Sequence, residues 1–210
     1  MQYLTDMSLT PTEARQRSHR LAGRDPEQAL AIARGIADPW FRCQSLSHVA
    51  RYWPGDGYQR LLEEAAEAAD SQDDAYKRAT VAAWPIRAYL ERGGPSGAKT
   101  LLEIYTPAAT NIENMGGRSE ALLMLFQAAR PFAEDLWQPV FRALVQAAEP
   151  ALAWRQRRNV RLAISMVAAD HPELVQQALD RLSDEKTLSA VRRDLENGKY
   201  AEPRPFFWLD

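Results

Sequence analysis

The chain has 210 residues, 46% hydrophobic and 26% charged, with a formal net charge of −2. These are the proportions of an ordinary soluble globular chain, and no apolar run approaches the ~18 residues needed to cross a bilayer. The charge weighs against a protein dominated by nucleic-acid phosphates, leaving room only for a local basic patch. The single cysteine, Cys43, cannot form an internal disulfide, and the first residues lack a basic stretch followed by an apolar core. A reducing, cytoplasmic setting without a secretory leader is expected. Alanine is plentiful and β-branched residues are few, which favours helix over sheet.

After a loose lead-in over residues 1–9, Thr10-Pro11-Thr12-Glu13 reads as a capping box that starts a helix running to about Leu21 and ending at Gly23. With Arg15, Arg17 and Arg20 on it, this helix is expected to cap the fold with a solvated side, and residues 1–24 form that cap. Asp25-Pro26 opens the next helix, with an apolar stripe at Leu30, Ala33 and Ala37. Asp38-Pro39 repeats the start signal and breaks the chain, since proline restrains the residue before it. The helix that follows carries Cys43, Leu46, Val49, Ala50 and Trp53 at helical spacing until Pro54-Gly55-Asp56-Gly57 stops it. Neither helix can bury its stripe alone, so the pair of residues 25–56 must stack on neighbours.

Residues 57–95 form the second unit. Leu61, Leu62, Ala65, Ala66 and Ala69 line one helix, and a second starts near Asp74 and holds Pro85, where a kink between Val81 and Tyr89 is expected. In the third unit, residues 96–135, Ser96 is the expected cap, Leu101, Leu102 and Tyr105 line the first helix, and a very apolar helix runs from Arg118 to about Phe132. The fourth unit, residues 136–172, has Pro150 between its helices. Terminal helices are predicted at 173–182 and 184–196, with Ser183 as the cap between them and Asn197-Gly198 as the stop; an aromatic tail, residues 199–210, follows.

A period connects these units. Asp38, Asp74 and Asn114 are each followed four residues later by an arginine, Arg42, Arg78 and Arg118, and Trp154 stands four before Arg158. Four places after those arginines stand Leu46, Ala82, Leu122 and Leu162, and eight places after them Ala50, Ile86, Phe126 and Met166. A period of about 35–45 residues with two helices per unit is the mark of an α-solenoid. At DPWFRCQSLSHVA, where an Asp cap precedes an Arg and an Ala/Leu-rich face, the chain resembles the HEAT-like repeat proteins over about residues 25–182. The resemblance implies an all-α superhelix of four to five hairpins forming a single domain. It also implies a structural ladder of Asp and Arg between units and second helices lining a concave face. Tetratricopeptide repeats are the rival, but their period is near 34 and their Trp/Gly/Tyr pattern is missing.

No metal-ligand spacing links His19, His48 and His171, and HExxH, GxSxG, P-loop and GxGxxG patterns are absent, so neither a metal, a cofactor nor a catalytic residue is expected. Trp154 to Arg161 holds four arginines, read as a solvated helix face or as a phosphate or acidic-partner site.

The face opposite the Leu46 column is the candidate binding surface. Two, six and nine places after each repeat arginine, it carries Gln44, Thr80, Glu120 and Val160, then His48, Trp84, Met124 and Ile164, then Arg51, Arg87, Gln127 and Val167. Trp, Met, Ile and two valines do not suit water, and an exposed apolar face of this kind marks an interaction site. In the other reading these side chains pack on one another or the tail covers them. The partner-binding residues are therefore expected to be His48, Arg51, Trp84, Arg87, Met124, Gln127 and Ile164, and the function that of a scaffold for a protein or peptide partner in the groove. The alternative implied by the resemblance is a HEAT-like DNA glycosylase, for which Trp84, Arg87 and Arg51 are a partial fit and the net charge an unfavourable one. Phe206, Phe207, Trp208 and Leu209 are expected to pack on the last repeat, with Pro203 and Pro205 holding an extended path; a partner-binding peptide is the other reading.

Overall fold

The first three helices start with a proline behind a short acceptor side chain. Thr10 caps α1 (Pro11–Ala22) in a reciprocal box with Glu13, and Asp25 caps α2 (Pro26–Gly35). Asp38 accepts from Trp40 N at the start of α3 (Pro39–Tyr52). After a 3-10 turn at Gly55–Gly57 come α4 (Tyr58–Asp70), α5 (Ala75–Glu91) capped by Asp74, α6 (Pro95–Thr110) and α7 (Met115–Ala129) capped by Asn114. Next are α8 (Glu134–Ala147), α9 (Trp154–Val167), α10 (Pro172–Arg181) and α11 (Glu185–Glu196). The computed structural model describes residues 9–149, 153–202 and 208, and all regular secondary structure among them is helical. None of the helices among the described residues is long and apolar enough to cross a membrane.

Three expected starts shift. Gly94, not Ser96, occupies the cap of α6, because Pro95 takes the first helical position. α7 begins at Met115, three residues before Arg118. Asp184, not Ser183, caps α11, its carboxylate accepting from Thr187 N at 2.8 Å. Pro150, Pro203, Pro205, Phe206, Phe207 and Leu209 lie outside the described residues.

Consecutive helices from α1 to α10 pack on one another, and the odd-numbered helices also form a row: α1 meets α3, α3 meets α5, α5 meets α7, α7 meets α9 and α9 meets α11. A helix held between two row neighbours and a hairpin partner is buried on most of its circumference. The unbroken buried run from Ala121 to Ala129 in α7 follows from that. Leu46, Ala82 and Leu122 are buried in their column, while Leu162 is only half-buried; Ala50, Ile86, Phe126 and Met166 are all buried.

The repeat arginines act within their own hairpins. Arg42 Nη1 donates to the Ile36 carbonyl (3.1 Å), Arg78 Nη1 to the Gln72 carbonyl (3.3 Å) and Arg118 Nε to the Ile112 carbonyl (2.8 Å). Each acceptor lies six residues upstream, in the loop before the cap, so the arginine ties the loop back onto the helix it precedes. The ladder between units implied by the resemblance is thus replaced, at these three positions, by a lock inside each unit. Arg158 breaks the pattern and reaches Glu120 of the preceding unit at 2.9 Å.

Pro85 lies inside α5, which continues through it to Glu91. Proline has no N–H, so the Val81 carbonyl loses its helical donor. The buried Cys43 thiol of α3 stands 3.6 Å from that oxygen and donates to it. Burial pushes the Cys43 thiol well above its ordinary range, which keeps it protonated and able to donate. The cysteine thereby stitches α3 to α5 where the proline interrupts the backbone bonding.

Candidate functional site

The helix row brings Arg51 of α3 and Arg87 of α5 to one carboxylate, Glu91. Arg51 Nε donates to Glu91 Oε2 and Arg87 Nε to Glu91 Oε1, each at 2.6 Å. The Arg87–Glu91 spacing is i,i+4 on one helix; Arg51 arrives from α3, the neighbour of α5 in the row, 40 residues earlier. All three side chains are about one-fifth exposed, so the charges are partly withdrawn from water. Burial alone would raise the Glu91 carboxyl. Hydrogen bonds from Arg87 and Trp208, with the charges of Arg51 and Arg87, outweigh it and hold the carboxyl below its usual range.

Trp208 is the residue seated there. Its indole Nε1 donates to Glu91 Oε1 at 3.0 Å, across 117 residues of chain. The Arg51 guanidinium lies 4.4 Å from its ring centroid. Trp84 meets the ring edge-on, with centroids 5.0 Å apart and planes at 80°. His48 is 5.5 Å away, and its other face stacks on His19 of α1 at 4.1 Å. Arg51 Nη1 stands 3.4 Å from His48 Nδ1. On the far side, the Arg87 guanidinium sits 5.0 Å over the Phe132 ring.

Burial here reverses the expectation of an open face. His48 is 1% exposed, Trp84 3%, Met124 6%, Gln127 4% and Ile164 0%; Arg51 and Arg87 are half-buried. α1 closes one side: His19 lies on His48, and Arg15 Nη1 donates to Gln44 Oε1 at 2.7 Å. So α1 is more than a solvated cap, although Arg17 and Arg20 on it are exposed. Trp208 covers the His48–Trp84 end, far from the last repeat on which the tail was expected to pack; the remaining aromatic tail residues lie outside the described residues. The structure joins His48, Arg51, Trp84 and Arg87 in one place. Gln127 and the aliphatic Met124 and Ile164 belong to α7 and α9, farther along the row.

Two residues of the seat escaped the sequence reading. Glu91 carried a usable signal, since it stands four places after Arg87 and so on the same helix face. His19 gave none, because its partners come from other helices. The His19 ring is 4% exposed. Burial first, then the charges of His48 and Arg15, push it down to about 2.

The arginines of α9 are drawn to acidic neighbours. Arg157 meets Asp184 at 3.3 Å, Arg158 meets Glu120 at 2.9 Å and Arg161 meets Asp194 at 2.6 Å. Trp154, 64% exposed, lies beside Arg155 and Arg158. Those ion pairs favour the reading of this stretch as a helix face over that of a phosphate site. Among the described residues no group of three or more His, Cys, Asp or Glu is placed to hold a metal ion. No protein-family model, curated protein or solved structure matches the chain.

Proposed function

We propose that this chain is a protein-interaction scaffold, a HEAT-like α-solenoid that takes a peptide segment on the face of its odd-numbered helices. The observation that carries the reading is Trp208 itself, a residue remote in sequence held by side chains of two successive helices of the row. A face that accepts a tryptophan of its own chain has the chemistry to accept one from a partner. It offers aromatic walls, a guanidinium for the ring face and a carboxylate for the indole donor. The architecture is supported by the helix row and by the three equivalent arginine locks, which repeat one structural unit at 36- and 40-residue intervals. Arg51 and Arg87 both spend charge on Glu91, which lowers the appeal of the face to nucleic-acid phosphates. The reading is therefore of a binding module rather than an enzyme, in a compartment that keeps Cys43 reduced.

Random-peptide selection on the immobilised full chain tests it. Selected peptides are expected to carry an aromatic residue, and their binding is expected to weaken about tenfold or more in Arg51→Glu. No enrichment, or binding indifferent to Arg51→Glu, would count against the reading. Duplex DNA titrated in parallel across salt concentrations is expected to bind weakly at every salt. A steep salt-dependent affinity would move the function to nucleic acid.

A further inference from the structure

We propose that the Trp208 seat is an indole-recognition site, filled in cis by the chain's own tryptophan and in trans by a tryptophan-bearing peptide segment. The proposal rests on the groove reading above and gives it a ligand.

The acceptor is held by groups other than the indole. Arg51 and Arg87 fix Glu91 from both sides at 2.6 Å, one on each oxygen. A carboxylate has about four lone-pair positions, so Oε1 can accept a second donor while keeping Arg87. That second donor is Trp208 Nε1. Phenylalanine has no donor to offer here, and an aliphatic side chain would use neither the carboxylate nor the guanidinium 4.4 Å from the ring centroid. The walls are aromatic as well: Trp84 meets the ring edge-on and His48, backed by His19, lies at a tilt. Donor, ring face and ring edge are thus each read by a different side chain, and together they specify an indole.

The occupant is held as a guest. Its hydrogen bond to Glu91 and its ring contacts to Arg51, Trp84 and His48 are side chain to side chain, and these residues lie within the chain's first 91. A guest tethered in cis has an effective concentration of about a millimolar. A peptide in trans must compete with it, so its apparent affinity for the wild-type chain is lowered, and removing the resident indole restores it.

The test uses the full chain and a fluorescently labelled peptide of residues 201–210, AEPRPFFWLD. By fluorescence anisotropy, the peptide is expected to bind Trp208→Ala about tenfold or more tighter than wild type. Methylating the peptide's indole nitrogen should weaken that binding about tenfold, because the donor to Glu91 is lost. Circular dichroism checks that the variant is folded; if Trp208→Ala fails to fold, Trp208→Phe, which keeps most of the ring area and lacks the donor, takes its place. Equal affinity for variant and wild type, no binding to the folded variant at millimolar peptide, or indifference to methylation each overturns the proposal. If selected peptides still bind in an Arg51-dependent way while this one does not, the groove reading stands and the indole assignment falls.

Discussion

Six places after the repeat arginine, α3 and α5 carry His48 and Trp84, whereas α9 carries Ile164. All three are buried, and the surroundings that bury them differ in kind. Around Ile164, the second and ninth places are Val160 and Val167, each 0% exposed, so all three of these places on α9 are filled by aliphatic side chains. Around His48 and Trp84, the ninth places are Arg51 and Arg87, and closure needs Glu91, His19 and Trp208 to meet the polar groups. A position on the helix fixes the direction in which a side chain points. The neighbours supplied by the ninth place decide whether that direction becomes core or a site.

Truncation should separate the ends most clearly. Trp84→Ala is expected to cost about 3–5 kcal/mol and Ile164→Ala about 2–5 kcal/mol in urea melts. Only the first should also free Trp208, seen as a change at its indole N–H in NMR spectra. A loss under about 1 kcal/mol for Trp84→Ala would mean the seat is open in solution.

The repeat arginines extend the comparison. Arg118→Ala removes a charged donor from the Ile112 loop carbonyl and is expected to cost about 1.5–3 kcal/mol. Arg158→Ala breaks a half-exposed pair with Glu120 and should cost no more than about 1 kcal/mol. Equal costs would erase the distinction between a lock within a unit and a pair between units.

The seat end should also answer to pH, through a group the Ile164 end lacks. His19 titrates at about 2 when folded, against an ordinary 6.5. Below 6.5 the unfolded chain gains a proton that the folded chain refuses, so stability is fully present above that pH and falls as pH drops toward about 2. Between neutrality and around pH 5 the loss is expected to be about 2 kcal/mol, and His19→Leu should flatten this part of the profile. An unchanged slope in His19→Leu would assign the dependence elsewhere.

Helix starts were readable from Asp-Pro and Thr-Pro pairs because capping is local chemistry. Gly94 for Ser96 and Asp184 for Ser183 are shifts of one or two residues between neighbouring cap candidates, and α7 starts three residues before Arg118, behind the Asn114 cap. The contents of the columns were also legible, since helical spacing places His48, Trp84, Arg51 and Arg87 on one face. Whether that face was open was beyond local pattern. Its cover comes from His19 in the first helix and Trp208 near the other end of the sequence, and contacts over such separations leave no periodic trace. The role of Cys43 was hidden for the same reason, because the orphaned Val81 carbonyl belongs to another helix.

Trp208 rests against Trp84 at the Arg51–Glu91–Arg87 site. A double-mutant cycle in urea with Trp84→Leu and Trp208→Ala measures that contact directly. A coupling of about 0.5–1.5 kcal/mol between the two changes is predicted. Additivity within about 0.3 kcal/mol would contradict the seat.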